Sequence, residues 1–178
     1  MQTRSLIVAG PIALEASVRL FELRERELTE WFPPFFADCL RSLPTYDRAE
    51  EALTVIRASG ALWAEELGQG GLLSALWRMA EDMQAGLSVD MKKIPIRQET
   101  VEILGLYDMD PYYALSGGAV LAVTEDPAGL LQALGAAGLS ASVIGTLREG
   151  ADRLLLNGSH IRCLDRPKAD SFLSAGLG

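Results

Sequence analysis

Glu65-Glu66-Leu67-Gly68-Gln69-Gly70-Gly71-Leu72-Leu73-Ser74-Ala75-Leu76-Trp77-Arg78-Met79-Ala80-Glu81 decides how this chain is read. Three glycines in four positions run straight into an apolar repeat, with Leu72, Leu76, Met79 and Met83 on one helical face. A glycine turn that opens a helix aims backbone N–H groups forward, and the helix dipole favours an anion there. Gly68, Gln69, Gly70 and Gly71 are therefore the best candidates in the chain for holding a phosphate or carboxylate. The same residues also fit a plain strand-to-helix turn in which glycine only supplies unusual dihedrals.

Downstream of that helix, Gly86-Leu87-Ser88-Val89-Asp90 reads as a strand, Ile94-Pro95-Ile96 as extended, and Arg97 to Leu106 as a helix. Asp110-Pro111 opens a turn or short helix that ends at Ser116-Gly117-Gly118. Ala119-Val120-Leu121-Ala122-Val123 is a continuous apolar run, as expected of a strand covered on both faces. Pro127 to Ala137 is a helix capped by Gly138, and Ala141 to Leu147 is the next strand. Asn157-Gly158 between Arg153-Leu154-Leu155-Leu156 and Ile161-Arg162-Cys163-Leu164 signals a hairpin. Ser174 to Gly178 reads as a frayed tail.

Upstream, Ala61-Leu62-Trp63-Ala64 reads as a short strand entering the glycine turn, and a helix runs from Tyr46-Asp47 to Ser59-Gly60. Trp31-Phe32-Pro33-Pro34-Phe35-Phe36 breaks a longer helix. Its aromatics either fill the core where helices cross or form a patch for a partner. Ser5 to Ala9 is a buried strand, and Pro11 suits the first position of a helix carrying Leu14, Val18, Phe21 and Leu28 on one face. Glu15 with Arg19, and Glu22 with Arg26, fall four apart on the other side. The order predicts an α/β (α+β) fold over residues 1–178, a mixed β-sheet covered by helices with a C-terminal β-hairpin.

The totals narrow the function. Of 178 residues 49% are hydrophobic, enough for one domain with a substantial core. The charge of −8, with no dense basic run, argues against nucleic acid as a partner. Cys39, Cys163 and the lone His160 cannot supply the roughly four ligands of a zinc site. They also form no disulfide framework, so a cytoplasmic location is expected. The short apolar run after Met1-Gln2-Thr3-Arg4 does not read as a signal peptide. No stretch approaches a membrane span, so no membrane partner is expected.

Gly70-Gly71-Leu72, Ala75 to Glu81, Gly86 to Asp90 and Ile94-Pro95-Ile96-Arg97 together resemble the C-terminal domain of the AIR synthase superfamily. Within that superfamily the chain looks like the HypE-like, AIR synthase-related proteins, a branch similar to hydrogenase maturation proteins. Ser116-Gly117-Gly118 before an apolar strand, and Ala141 to Gly145 before a hairpin, fit the same pattern. The resemblance implies a single C-terminal domain, with the N-terminal ATP-binding half of the family absent. No cofactor is then expected in this chain, because ATP and magnesium would belong to that other half. The implied partners are the N-terminal ATP-binding domain, a second copy in a homodimer, and a small phosphorylated substrate.

The resemblance also places the turn at Glu66, Gly68, Gln69, Gly70 and Gly71 on the cleft between the two halves, where substrate or phosphate groups sit. Glu66 stands where the family carries aspartate. Ala13 and Ala16 stand where relatives have glycines, a change expected to favour helix and to limit close approach of a ligand. Gly178 ends the chain where the hydrogenase maturation enzymes use a cysteine.

Among the remaining candidates, Ser116 and Gly117 could touch a ligand or simply turn the chain. Glu65 and Glu66 are adjacent, so on a strand they point to opposite faces and share no site. Asp108 and Asp110 read as turn and cap residues, and His160 as an exposed hairpin residue. Arg97 either neutralises an anion near the cleft or pairs with Glu99 or Glu102. Two functions follow. One is the substrate-side domain of an ATP-dependent enzyme, inactive alone, with its catalytic residues unknown. The other is a non-catalytic binding or assembly module that kept the fold.

Overall fold

The computed structural model describes residues 3–42 and 47–176. Its elements run β1 (Ser5–Ala9), α1 (Leu14–Trp31), α2 (Pro34–Arg41), α3 (Ala49–Ala58), β2 (Trp63–Gly68), α4 (Gly71–Asp82) and β3 (Gly86–Asp90). After a 3-10 turn come α5 (Gln98–Leu106), β4 (Ser116–Thr124), α6 (Pro127–Ala136), β5 (Ala141–Arg148), β6 (Arg153–Asn157), β7 (His160–Cys163) and α7 (Ser171–Ser174). The strands form one seven-stranded mixed sheet in the order β2-β4-β1-β5-β3-β6-β7. Among the described residues only β3 and β6 pair in parallel, and β6 and β7 form the expected hairpin.

Period-two alternation divides the sheet residues between two layers. Leu6, Val8, Leu121 and Val123 face α4, which buries Leu72, Leu73, Leu76 and Met79 against them. Ile7, Ala9, Val120 and Ala122 face the opposite way, onto α3 and α6. Both faces of β4 are therefore covered, which is why its sequence is an unbroken apolar run. A third cluster joins α1, α2 and α5 to Ala114, Leu115 and Phe172, beyond one end of the sheet.

Several boundaries differ from the sequence reading. Helix α1 begins at Leu14, not at Pro11, because the chain before it is tied down elsewhere. Ile12 N donates to Pro95 O at 2.9 Å and Ala13 N to Ser116 Oγ at 2.8 Å. Strand β2 runs from Trp63 through Gly68, later than expected, because its pairing with β4 persists to the Gly68–Ser116 contact. Ser116, Gly117 and Gly118 consequently belong to a strand. Ser174 belongs to α7, whose Phe172 is buried, so the expected fraying does not hold at Ser174; Leu177 and Gly178 lie outside the described residues. Tyr46, expected at a helix start, also lies outside them.

The aromatic break divides its residues. Phe32 and Phe36 stack with centroids 4.1 Å apart against the third cluster, whereas Trp31 and Phe35 are exposed. Among the described residues no helix is long and apolar enough to cross a membrane.

Candidate functional site

The antiparallel ladders bring the C-terminal ends of β1, β2 and β3 to the same side as the N-terminal ends of β4 and β5. Every residue singled out as a ligand candidate lies along this end of the sheet. Gly68 and Ser116 are cross-strand partners, next to a register shift in β2. The connection into α4 then turns through Gly70 at φ 80° and Gly71 at φ 63°, conformations in the left-handed region. A Cβ on Gly71 would lie 2.7 Å from the carbonyl oxygens of both Tyr112 and Ala114. That glycine is therefore required by packing of the helix start against the 112–114 backbone, whatever else the turn does. The same backbone satisfies one helix-end donor, since Leu73 N donates to Tyr112 O at 3.1 Å.

Three carboxylates of the chain itself hold backbone N–H groups along this end. Gly70 N donates to Asp170 Oδ2 at 2.7 Å. Gly117 N donates to Glu15 Oε2, and Gly118 N to Glu66 Oε1, both at 2.9 Å. Glu15 is buried and its other oxygen pairs with Arg19 at 2.6 Å, so the expected helical pair forms but its acid points inward. Glu66 itself is solvent-exposed, as is Gln69. Ser116 is fully buried. Its Oγ accepts from Ala13 N and donates to Ala114 O, both at 2.8 Å, which makes it a staple between β4 and the start of α1.

Ala13 departs from the expectation that alanine there favours helix. It sits at φ 54°, outside α1, in the left-handed backbone that glycine adopts freely. Ala16 does lie in the helix and is buried.

Beside the glycine turn is an open depression of about 560 Å³ lined by Glu65, Glu66, Gly68 to Gly70, Ser74 and Arg78 on one side and Pro167 to Asp170 on the other. Glu65 pairs with Arg78 on α4 at 2.6 Å while Glu66 Oε1 accepts from Gly118 N, so the two acids take different partners although both line this depression. Ser74 Oγ is buried and has no hydrogen-bond partner. It lies under the turn, 2.8 Å from where a Cβ on Gly70 would be.

The far wall of this depression was not anticipated from the sequence. Residues 165–176 form a strap anchored by buried Phe172. Ser171 N donates to Tyr113 O at 3.2 Å, and Ser171 Oγ to Asp110 O at 2.8 Å. Asp170 caps the strap's short helix by accepting from Phe172 N and Leu173 N while its second oxygen holds Gly70 N. Lys168 lies over the Tyr113 ring, 5.4 Å from its centroid, and pairs with Asp165. The hydrogen bond from that pair raises the Lys168 pKa, and burial pushes the Tyr112 and Tyr113 hydroxyls above the ordinary tyrosine range. Asp170-Ser171 ahead of Phe172-Leu173 is a helix-cap pattern and the one local signal that could have marked the strap.

Other candidates take plain roles. Asp110 Oδ1 accepts from Tyr112 N in a turn, and Arg97 pairs with Glu99 at 3.4 Å. His160 is exposed on β7. Among the described residues no group of three or more His, Cys, Asp or Glu side chains is placed to hold a metal ion.

The family model "AIR synthase related protein, C-terminal domain" matches residues 36–155, a span that contains the glycine turn, α4 and strands β2 to β5. The chain belongs to this family. Solved structures agree on the fold of this AIR synthase-related domain. HypE of E. coli, a hydrogenase maturation protein, superposes with a TM-score of 0.75 at 17% identity over 96% of this chain and 52% of its own. HypE in complex with ATP gives 0.73 at 14% identity, with 96% and 52% covered. Thiamine-monophosphate kinase from Stenotrophomonas maltophilia K279a gives 0.64 at 18% identity, with 90% and 51% covered. The chain thus spans about half the length of these proteins. No curated protein sequence matches it.

Proposed function

We propose that this AIR synthase-related domain forms the substrate-side wall of a HypE-like ATP-dependent site, with nucleotide and magnesium held by an ATP-binding N-terminal half. The observation that carries the reading is positional. The glycine turn of residues 68–71, Glu66, Ser116 and Gly117 are drawn from β2, β4 and the start of α4 to one end of the sheet, where Glu66 and Gly68 to Gly70 line an open depression. The ligand class this geometry favours is a small phosphorylated compound whose oxyanion meets the N-terminus of α4. The solved relatives include HypE with ATP and thiamine-monophosphate kinase, in line with phosphoryl chemistry.

Alone, the domain contributes positioning and no nucleotide site, so the 178-residue chain should not turn over magnesium-ATP. Measurable turnover by the purified chain would overturn that statement. The positive test is NMR titration with a panel of small phosphorylated compounds. Specific, saturable shifts of the Gly68 to Leu72 amides support the substrate-side reading.

A second reading is favoured by a different observation. The N–H groups of Gly70, Gly117 and Gly118 already carry carboxylates of the same chain. A non-catalytic binding or assembly module would look like this, with its former site closed upon itself. Absence of any saturable shift across the panel decides for that reading.

A further inference from the structure

The start of α4 already holds an anion, and that anion is part of the chain. Asp170 Oδ2 sits 2.7 Å from Gly70 N, in the position a helix N-terminus offers to a phosphate or carboxylate oxygen. A second observation points to a ligand at the same place. Ser74, only 3% exposed, lines the depression, and its Oγ has no partner. A buried hydroxyl without a partner costs free energy, and Asp170 leaves it unsatisfied. An incoming oxyanion with three or four oxygens can reach both Gly70 N–H and Ser74 O–H, which one capping carboxylate engaged elsewhere does not.

The strap also has the architecture of a displaceable element. Asp170 divides its two oxygens between two helix ends, Gly70 N on α4 and Phe172 N and Leu173 N on α7. Among the described residues one hydrogen bond attaches it to the turn, whereas Phe172 and Ser171 hold the strap to the 107–115 region and α1 independently. The carboxylate can therefore leave Gly70 without detaching the whole strap.

We propose that Asp170 is a built-in competitor at the glycine turn: an oxyanion ligand takes Gly70 N and Ser74 Oγ by displacing the Asp170 carboxylate, so ligand entry and strap position are coupled. This inference rests on the reading of the turn as an anion site. It adds that the site is held closed by the chain's own carboxylate.

The test uses the full chain, inorganic phosphate and acetate as probes, and backbone amide shifts as readout. Phosphate should bind Asp170→Asn and Asp170→Ala at least about tenfold more tightly than wild type, the factor expected when one charge-assisted competing hydrogen bond is lost. Ser74→Ala in the Asp170→Asn background should reverse most of that gain. In wild type, saturating phosphate should shift Gly70, Phe172 and Leu173 together. Acetate, with two oxygens, should gain less from the Asp170 substitutions than phosphate; an equal or greater gain overturns the part assigned to Ser74.

Equal phosphate affinity in wild type and Asp170→Asn, with shifts at Gly70, overturns the competitor role and leaves the anion site standing. No shift at Gly70 in any variant overturns both. Should the Asp170 variants not fold, the wild-type titration decides alone: shifts at Gly70 without shifts at Phe172 and Leu173 refute the coupling.

Discussion

Glu15 Oε2 accepts the Gly117 N–H at 2.9 Å, which fastens the first turn of α1 to the first residues of β4. The two residues are 102 positions apart, and the contact is buried. Two residues earlier, Ala13 N meets Ser116 Oγ, so the same two elements are joined twice within one turn. Glu15→Ala leaves the Gly117 N–H buried without an acceptor and should lower the unfolding free energy by about 1–3 kcal/mol. Glu15→Gln keeps an acceptor oxygen and should lose less. Urea denaturation of both variants checks the order, and a cost for Glu15→Ala no greater than for Glu15→Gln would contradict the staple. The pair with half-exposed Arg19 contributes little to either figure.

Gly71 and Gly68 lie in the same turn, yet they should respond differently to alanine. Both have positive φ, so each pays the left-handed penalty of about 1–2 kcal/mol. At Gly68 an added Cβ meets nothing within 4 Å, and that penalty is the whole cost. At Gly71 the methyl would press on two backbone carbonyls 2.7 Å away, Tyr112 O and Ala114 O, which cannot rotate aside. Gly71→Ala should therefore cost on the order of 3 kcal/mol or more. Denaturation midpoints compared at equal slope measure the difference, and equal costs would show that the 112–114 backbone yields freely.

That contrast also shows which parts of the site could be read from residues alone. The glycine turn, the apolar strand β4 and the helix α4 have local signals: glycines requiring unusual dihedrals, a run buried on both faces, and a 3.6-residue repeat. Gly71's reason for being glycine is not local, because its constraint comes from a backbone some forty residues later. Ser116 and Gly117 were legible as candidates, but whether they meet a ligand or the protein depended on Glu15 and Ala13, whose approach only the folded chain fixes. Ala13 differs from its sequence expectation for a related reason. Helix propensity favours alanine, but the hydrogen bonds of Ile12 and Ala13 to other segments impose a left-handed residue there. The link from Asp170 to the turn has no local signal, because Gly70 lies 100 positions away, although the aspartate's capping pattern is visible in the sequence.

Alkaline pH should loosen the region that the strap rests on. Burial raises the pKa values of Tyr112 and Tyr113 above the ordinary tyrosine value of about 10. With the folded-state pKa raised, the folded protein keeps its phenolic protons where the unfolded chain has lost them, so stability falls as pH rises. This contribution is intact below the unfolded tyrosine pKa and is lost as pH climbs through the folded one. Denaturation midpoints followed across that range should decline, and Tyr113→Phe should reduce the decline. Near-ultraviolet titration should show Tyr112 and Tyr113 ionising above the free-tyrosine value; a single titration at that value would refute it.

Phe172 and Leu173 are neighbours on the strap with opposite expected weight. Phe172 is 1% exposed and packs into the cluster built from α1, α2 and α5, while Leu173 is 37% exposed. Truncating a buried phenylalanine to alanine removes about 3–5 kcal/mol of packing, and a leucine more than a third exposed should cost about 1 kcal/mol or less. Because α7 is a four-residue helix anchored by Phe172, the loss there should appear first as local opening and only in part as global destabilisation. In Phe172→Ala, hydrogen exchange should quicken at the amides of residues 172, 173 and 174 and also at Gly70, whose N–H depends on Asp170 two residues before the truncated ring. Leu173→Ala should leave all four amides near wild-type protection. If Gly70 kept its protection in Phe172→Ala while the strap amides lost theirs, the aspartate would be held at the glycine turn by something other than the packing of Phe172.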